Sequence, residues 1–388
     1  MRDAISRLPG SKIREVANAG LGRSDVLAFW FGESDEVTPE PVRRAAAESL
    51  MRGETFYSHN LGLAELREAL RAYTAALHGD PGPDRIVVTS SGVTALMTAM
   101  QVVNAGDEVV VVVPVWPNLP AQPEILGGRL TRVALAPDAQ GAWQLDLQRL
   151  LAAVTPATRV LLLNAPNNPT GWALTPIEQQ ALLAHCRRTG TWIVADEVYD
   201  RVWFGLDAAG LPQRAAPSFL DIAAPNDRLV VVHSFSKSFL MTGWRLGWLV
   251  LPAGLLDAVG KLVEFNSSCA PVFVQRGGLA ALAMADTFVP QLVSRLKAGR
   301  DALCPLLAAI PGVQSAMPLG GMYAFFRAPG ADDSLAFAKR LVAEVGLGLA
   351  PGAAFGGEGE GWLRWCFASQ DTARLVAGVA RLRDALRL

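Results

Sequence analysis

The sequence predicts an α/β protein: a large domain on a mostly parallel sheet flanked by helices, plus a smaller α+β domain. Three observations lead there. Runs rich in Val, Ile and Leu recur along the chain: "RIVVTS" at 85, "EVVVVV" at 108, "RVLLLN" at 159, "WIVAD" at 192, "RLVVVH" at 228 and "LGWLVLP" at 246. They are continuously apolar rather than alternating, as strands covered on both faces are, and ten or more residues separate most of them. After about residue 288 the pattern changes to long helical stretches broken by aromatic runs.

Each element has its own signal. The first 45 or so residues precede the parallel core and are assigned to the second domain. Within the core, "LTPIEQQALLAHCRRTG" is a helix, with Thr175 as cap, Pro176 in the first turn, Glu178 following and Gly190 as terminator. The stretch "VPQLVSRLKAGRDALCPLLAAI", the run "MYAFFRA", a helix from about Ser334 and "WLRWCFA" make up the C-terminal α+β part. The expected division is therefore 46–287 for the large domain and 1–45 with 288–388 for the small one. "GGEGEG" at 356 is acidic and opens no βα unit, so it is a loop rather than a dinucleotide fingerprint.

Composition narrows the function. With 388 residues and 51% hydrophobic content the chain can fill a large core. A net charge of −1, spread along the chain, gives no basic footprint for nucleic acid or a membrane surface, which leaves small molecules or proteins as partners. Cys186, Cys269, Cys304 and Cys366 are far apart and form no CxxC pair, as expected of free thiols in a reducing compartment. Neither they nor the scattered histidines have metal-ligand spacing, so no metal is expected. The N-terminus lacks a signal-peptide core and no run is long enough for a membrane span, which makes a cytoplasmic location the expectation.

In open α/β sheets ligands bind beyond the carboxyl ends of the strands. Here those ends are followed by "SSGVTALMTAM", "NAPNNPTG", "DEVY" and "HSFSK". Lys237 is one of five lysines in a chain that uses thirty arginines, and it follows an apolar strand. A desolvated lysine loses preference for its charged form and becomes an amine able to attack a carbonyl. Asp196 ends "WIVAD", where a buried carboxylate needs a cationic partner such as a protonated pyridine nitrogen. Tyr199, three residues on, could donate to a phenolate oxygen on the same ring. Ser91, Gly92 and Val93 lie at a strand–helix junction suited to an anion, and Ser234, Ser236 and Arg245 could add hydroxyls and a guanidinium for a phosphate. Each feature also has an ordinary reading: a snorkelling lysine, an N-cap aspartate beside a packed tyrosine, a Ser-Gly turn, a surface ion pair.

Taken together, "NAPNNPTG", "DEVY" and "SFSKSFLMTGWRLGW" resemble the fold-type I pyridoxal-phosphate aminotransferases of class I/II, the aspartate aminotransferase family. "FGESD", "TFYSHNLGLAELREAL", "VPVWPN", "GGMYAFF", "PGAAFG" and "WLRWCFA" extend the resemblance over nearly the whole chain in family order. The resemblance implies a seven-stranded sheet and pyridoxal 5′-phosphate as cofactor. It makes Lys237 the Schiff-base lysine, Asp196 the partner of the pyridinium nitrogen, and Tyr199 with Asn168 the pair that bonds the ring's O3′. Trp116 matches the aromatic residue stacked on the ring. Ser91, Gly92, Val93, Ser234, Ser236 and Arg245 match the phosphate cup, and Tyr57 a phosphate ligand that reaches across from the neighbouring subunit of a homodimer. Arg364 matches the arginine that clamps the substrate α-carboxylate, and Gly32 lines the same pocket as Trp116 and Asn168.

The implied activity is transfer of the amino group of an L-amino acid to a 2-oxo acid by a ping-pong mechanism, with a pyridoxal-phosphate carbon–sulfur β-lyase as the alternative. A transcription regulator on this fold would need a DNA-binding domain, for which some 45 residues before the core leave no room; a catalytically dead relative would have lost Lys237. Aspartate, aromatic and alanine-type donors stay open. Arg276 lies near the region where dicarboxylate-specific members place a second arginine, one residue beyond the family-like Gln275.

Overall fold

Six of the seven central strands are the apolar runs of the sequence, and their burial decides where they lie. In the computed structural model, which describes residues 1–387, these strands are β1 (Ile86–Thr89), β2 (Glu108–Val113), β3 (Arg129–Ala134), β4 (Thr158–Asn164), β5 (Trp192–Asp196), β6 (Leu229–Ser234) and β7 (Gly247–Val250). They form one sheet in the order β1-β7-β6-β5-β4-β2-β3. All neighbours are parallel except β7, which runs antiparallel to β1 and β6. Successive side chains feed opposite faces: Val109, Val111, Leu162 and Val194 pack into one core, and Val110, Val112, Leu161 and Ile193 into the other. Each such side chain, fully buried, contributes about 1.5–3 kcal/mol.

β3 is the strand the apolar runs do not announce. It lies at the sheet edge, where Arg129 and Arg132 are exposed while Leu130 and Thr131 are half-buried and Val133 is buried, so no continuous apolar run marks it. The helix Pro176–Thr189 forms as its signals require. Thr175 and Glu178 make a reciprocal capping box, and Gly190 ends the helix in the left-handed conformation at φ 75°.

Beyond the long helix Ala285–Ala308, Tyr323–Arg327 and Trp362–Cys366 pair antiparallel at the centre of a four-stranded sheet. Helices Ser334–Val345 and Thr372–Leu386 pack with it. The N-terminal segment joins this part of the molecule. Leu27–Ala28 pairs in parallel with Leu347–Gly348, and Lys12–Ala19 packs on Ser334–Val345. "GGEGEG" forms a loop with one short 3-10 turn, Gly357–Gly359. Among the described residues no single helix is long and apolar enough to cross a membrane.

Candidate active site

Parallel register brings the strand ends together. Asn164 at the end of β4 is paired with Asp196 at the end of β5, and β6 beside them ends in Ser234. These residues open into a cavity of about 1270 Å³ whose wall includes Gly92, Val93, Trp116, Asn168, Asp196, Tyr199, Ser234, Ser236, Lys237 and Arg245. Gly32, Tyr323, Phe355 and Arg364 close it from the N-terminal and C-terminal segments.

Asp196 is 3% exposed. Burial pushes its carboxyl up to about 7, against the pull of the Val198 N–H and of Lys237. The Val198 N–H donates to its Oδ1 at 3.3 Å. Lys237 stands on the short helix Phe235–Ser238 just after β6. Its Nζ donates to the Gly32 carbonyl oxygen at 2.7 Å and lies 5.5 Å from the centre of the Tyr199 ring. Desolvation lowers its ammonium to about 8. Both shifts favour the uncharged forms, as removal from water dictates, so near neutral pH far more of this amine is free to act as nucleophile and base than of an ordinary lysine.

Arg364 is 2% exposed, and its guanidinium is oriented from several sides. It donates to Asn168 Oδ1 at 2.9 Å and to the Trp30 carbonyl oxygen at 2.5 Å, and it lies over the Tyr323 and Phe355 rings at 4.4 and 4.9 Å. These rings, rather than the flanking Trp362 and Trp365, are its aromatic partners. Its Nε has no partner, which leaves donor capacity for an anion. Asn168 is itself held by its backbone N–H donating to Asn164 Oδ1 at 2.8 Å. The hydroxyls of Tyr199 and Tyr323 meet at 2.6 Å.

At the opposite end of the cavity, the helix Gly92–Ala99 points its N-terminus inward beside Ser234. Gly247 on β7 permits this approach: a Cβ there would stand 2.6 Å from the Gly92 nitrogen. Arg245 adopts the left-handed conformation at φ 55°, an uncommon state for a non-glycine residue of the kind found at ligand sites.

The structure thus brings most of the expected residues together and sets two apart. Ser91 does not line the cavity: it is buried and serves as N-cap, its Oγ accepting from the Thr94 N–H at 3.0 Å. Tyr57 is 89% exposed and also outside the cavity of its own chain. Arg276 is engaged by Glu54 at 3.0 Å and Glu65 at 3.3 Å, and does not line the cavity. Tyr323 was not singled out from "GGMYAFF", because its importance lies in a contact 124 residues away. The segment Arg7–Arg14 also borders the cavity, with Lys12 and Arg14, and nothing in its sequence pattern announces this.

A desolvated amine, a buried carboxylate, an oriented guanidinium and an anion-binding end, gathered at the strand ends of an α/β sheet, define an enzyme of amine–carbonyl chemistry. The chain belongs to the aminotransferase class I and II family, whose description matches residues 25–382. It is 32% identical over 388 residues to an aspartate aminotransferase of Thermotoga maritima, covering 98% of each chain. It is 30% identical to an arginine–pyruvate transaminase of Pseudomonas aeruginosa, covering 96% of this chain and 91% of that one. The crystal structure of an aspartate aminotransferase from Thermotoga maritima superposes with a TM-score of 0.88 at 31% identity, covering 100% of both chains. The family is pyridoxal-phosphate dependent, so pyridoxal 5′-phosphate is the cofactor and aminotransfer the activity; the names of these relatives do not favour the β-lyase alternative.

Proposed function

We propose that the cavity residues divide the work of aminotransfer as follows, for an L-amino acid donor and a 2-oxo acid acceptor. The reading is carried by one observation: the half-buried Lys237 amine and the buried Asp196 carboxylate open into the same cavity as Arg364. The residues fit the cofactor by their chemistry. Asp196, with one backbone donor and a pKa near neutrality, suits a proton on a ring nitrogen. Ser234, Ser236, Arg245 and the N–H groups of Gly92 and Val93 would hold the phosphate, Trp116 would stack on the ring, and Tyr199 with Asn168 would orient its hydroxyl.

When bound, pyridoxal 5′-phosphate supplies an aldehyde that carries the amino group and a ring that takes up the electron pair left at Cα. Arg364 holds the α-carboxylate. Lys237 Nζ takes the Cα proton and later gives it up on the cofactor side, acting as base and then acid. Asp196 keeps the ring nitrogen protonated. The second oxo acid runs the same steps backwards, giving ping-pong kinetics.

Aspartate with its oxo acid is the donor pair that the relatives' names favour, within a broad specificity. A homodimer completes each site with the partner's Tyr57. The exposure of Tyr57 together with Phe56 and Phe265 supports this, as large side chains of that kind mark interaction surfaces. The working location is the cytoplasm, and the folding units are 46–287 and 1–45 with 288–388. The test is a half-reaction screen, in which cofactor-loaded protein is mixed with each amino acid and the change in cofactor absorbance is followed. Conversion by aspartate and a subset of others is expected; conversion by none, or pyruvate and ammonia released from a cysteine conjugate without transamination, would overturn the reading.

A further inference from the structure

A second group of buried titratable side chains adjoins the site without lining its cavity. Asp200 directly follows Tyr199, His233 directly precedes Ser234, and His78 ends the helix Ala64–His78. Their exposures are 7, 2 and 8%. Asp200 Oδ2 lies 4.0 Å from His78 Nε2 and 3.9 Å from His233 Nδ1, too far for direct hydrogen bonds and within the span of one bridging water. Neither nitrogen has another partner.

The other contacts of the three residues are settled. His78 Nδ1 meets Asp221 Oδ1 at 2.9 Å, and Asp200 Oδ1 accepts from the Arg201 N–H at 2.7 Å. The His233 ring stacks on Trp248 at 4.9 Å. The neighbouring charges are also engaged: the Glu197 carboxylate accepts from Ser218 Oγ and the Phe219 N–H, and Arg201 donates to the Tyr73 hydroxyl.

We propose that Asp200, His78 and His233 bind one water molecule as a three-way bridge, and that this bridge is a positioning site holding Tyr199 and Ser234 in fixed relation. The hydrogen bonds balance. With His78 protonated on both nitrogens, as its carboxylate neighbours Asp221 and Asp200 favour, Nδ1–H donates to Asp221 and Nε2–H to the water oxygen, while the two water hydrogens go to Asp200 Oδ2 and to His233 Nδ1, whose ring carries its own proton on Nε2 facing the Glu197 carbonyl. The bridge joins β6, the turn after β5 and a helix, so it links the residue beside the phosphate serine to the residue beside the ring tyrosine. Its positioning role rests on the site assignment proposed above.

A high-resolution crystal structure of the cofactor-loaded protein is expected to show one ordered water within about 3 Å of all three atoms. A direct histidine–Asp200 bond in its place, or no water there, overturns the bridge. Positioning is read separately by titrating pyridoxal 5′-phosphate into cofactor-free variants. His233→Phe, which keeps an aromatic ring for the stack, and Asp200→Leu are each expected to bind about tenfold more weakly, with the double variant no worse than either, because both remove one shared bridge. Asp200→Asn, which keeps an acceptor, is expected to stay within about threefold of the unmodified protein. Additive losses, or unchanged affinity in the single variants, overturn the positioning role. If Asp200→Leu does not fold, His78→Phe replaces it in the cycle. Failure of the unmodified protein to bind the cofactor counts instead against the site assignment, and the crystallographic water still decides the bridge.

Discussion

Lys237 Nζ and the carbonyl oxygen of Gly32 are joined by a 2.7 Å hydrogen bond. The bond ties the reactive amine, carried by the large sheet, to the N-terminal segment that runs with the C-terminal part of the fold. Gly32 has no room for a side chain, since a Cβ there would stand 2.1 Å from the Tyr323 hydroxyl, which in turn bonds Tyr199. One chain of contacts therefore sets the Lys237 amine, the Tyr199 hydroxyl and the cavity wall at Gly32.

Replacing Lys237 with Ala removes the amine proposed above both to form the imine and to act as base. Turnover is expected to fall by 10²-fold or more, on the order of a lost general base at the least. The absorbance of lysine-bound cofactor disappears with it. Wild-type transamination in this variant would refute the assignment, and absorbance spectra with steady-state kinetics decide it.

Asp196 links stability to pH. Its folded-state pKa of about 7 lies above the ordinary 3.8, so the folded cofactor-free protein keeps a proton that the unfolded chain releases. The resulting stability is full below about pH 4 and is lost as pH rises through 7. Asp196→Asn is expected to make the cofactor-free protein more stable at pH 8, on the order of 1–3 kcal/mol, while turnover drops by about 10²–10³-fold. Glu197, also pushed up to about 7 by burial, leaves a residual slope of the same sign. Denaturant titrations between pH 4 and 8 measure both.

Arg364→Lys keeps the charge and loses the fork that reaches Asn168 and the Trp30 carbonyl oxygen together. The expected result is a fall of about 10–100-fold in kcat/KM, mostly through KM for the amino acid. An unchanged KM would place the α-carboxylate elsewhere.

Tyr199→Phe and Tyr323→Phe each break the 2.6 Å hydroxyl contact. Because the two hydroxyls are each other's partners, the double variant is expected to lose less activity than the product of the single losses, by about 1 kcal/mol of coupling. Strict additivity in a double-mutant cycle would show that the contact does not matter to the reaction.

Much of this site was legible because strand ends are local features. "WIVAD" and "RLVVVHS" announce both the strand and the polar residue it delivers; register aligns Asn164 with Asp196, and the next strand carries Ser234 two residues beyond the Asp196 pairing at Val232. What escaped depends on distant partners or on mixed patterning. The edge strand Arg129–Ala134 exposes its arginines and so lacks an apolar run. Tyr323 meets Tyr199 and Arg364 only through long-range contacts, and the Ser91 hydroxyl caps its own helix, a use that a Ser-Gly turn alone does not specify. The Asp200–histidine group is spread over positions 78, 200 and 233, a spacing no motif describes.

The pairing of Leu27–Ala28 with Leu347–Gly348 bears on how the protein is made. During translation the early segment must wait, with its backbone donors unpaired, until some 320 further residues have been added. The large sheet between them can form as it emerges, whereas the amine's Gly32 anchor is secured only after residues 347 and 348 have been made. Nascent chains truncated before residue 347 should therefore expose that N-terminal stretch to proteases, even where the central sheet has already become resistant.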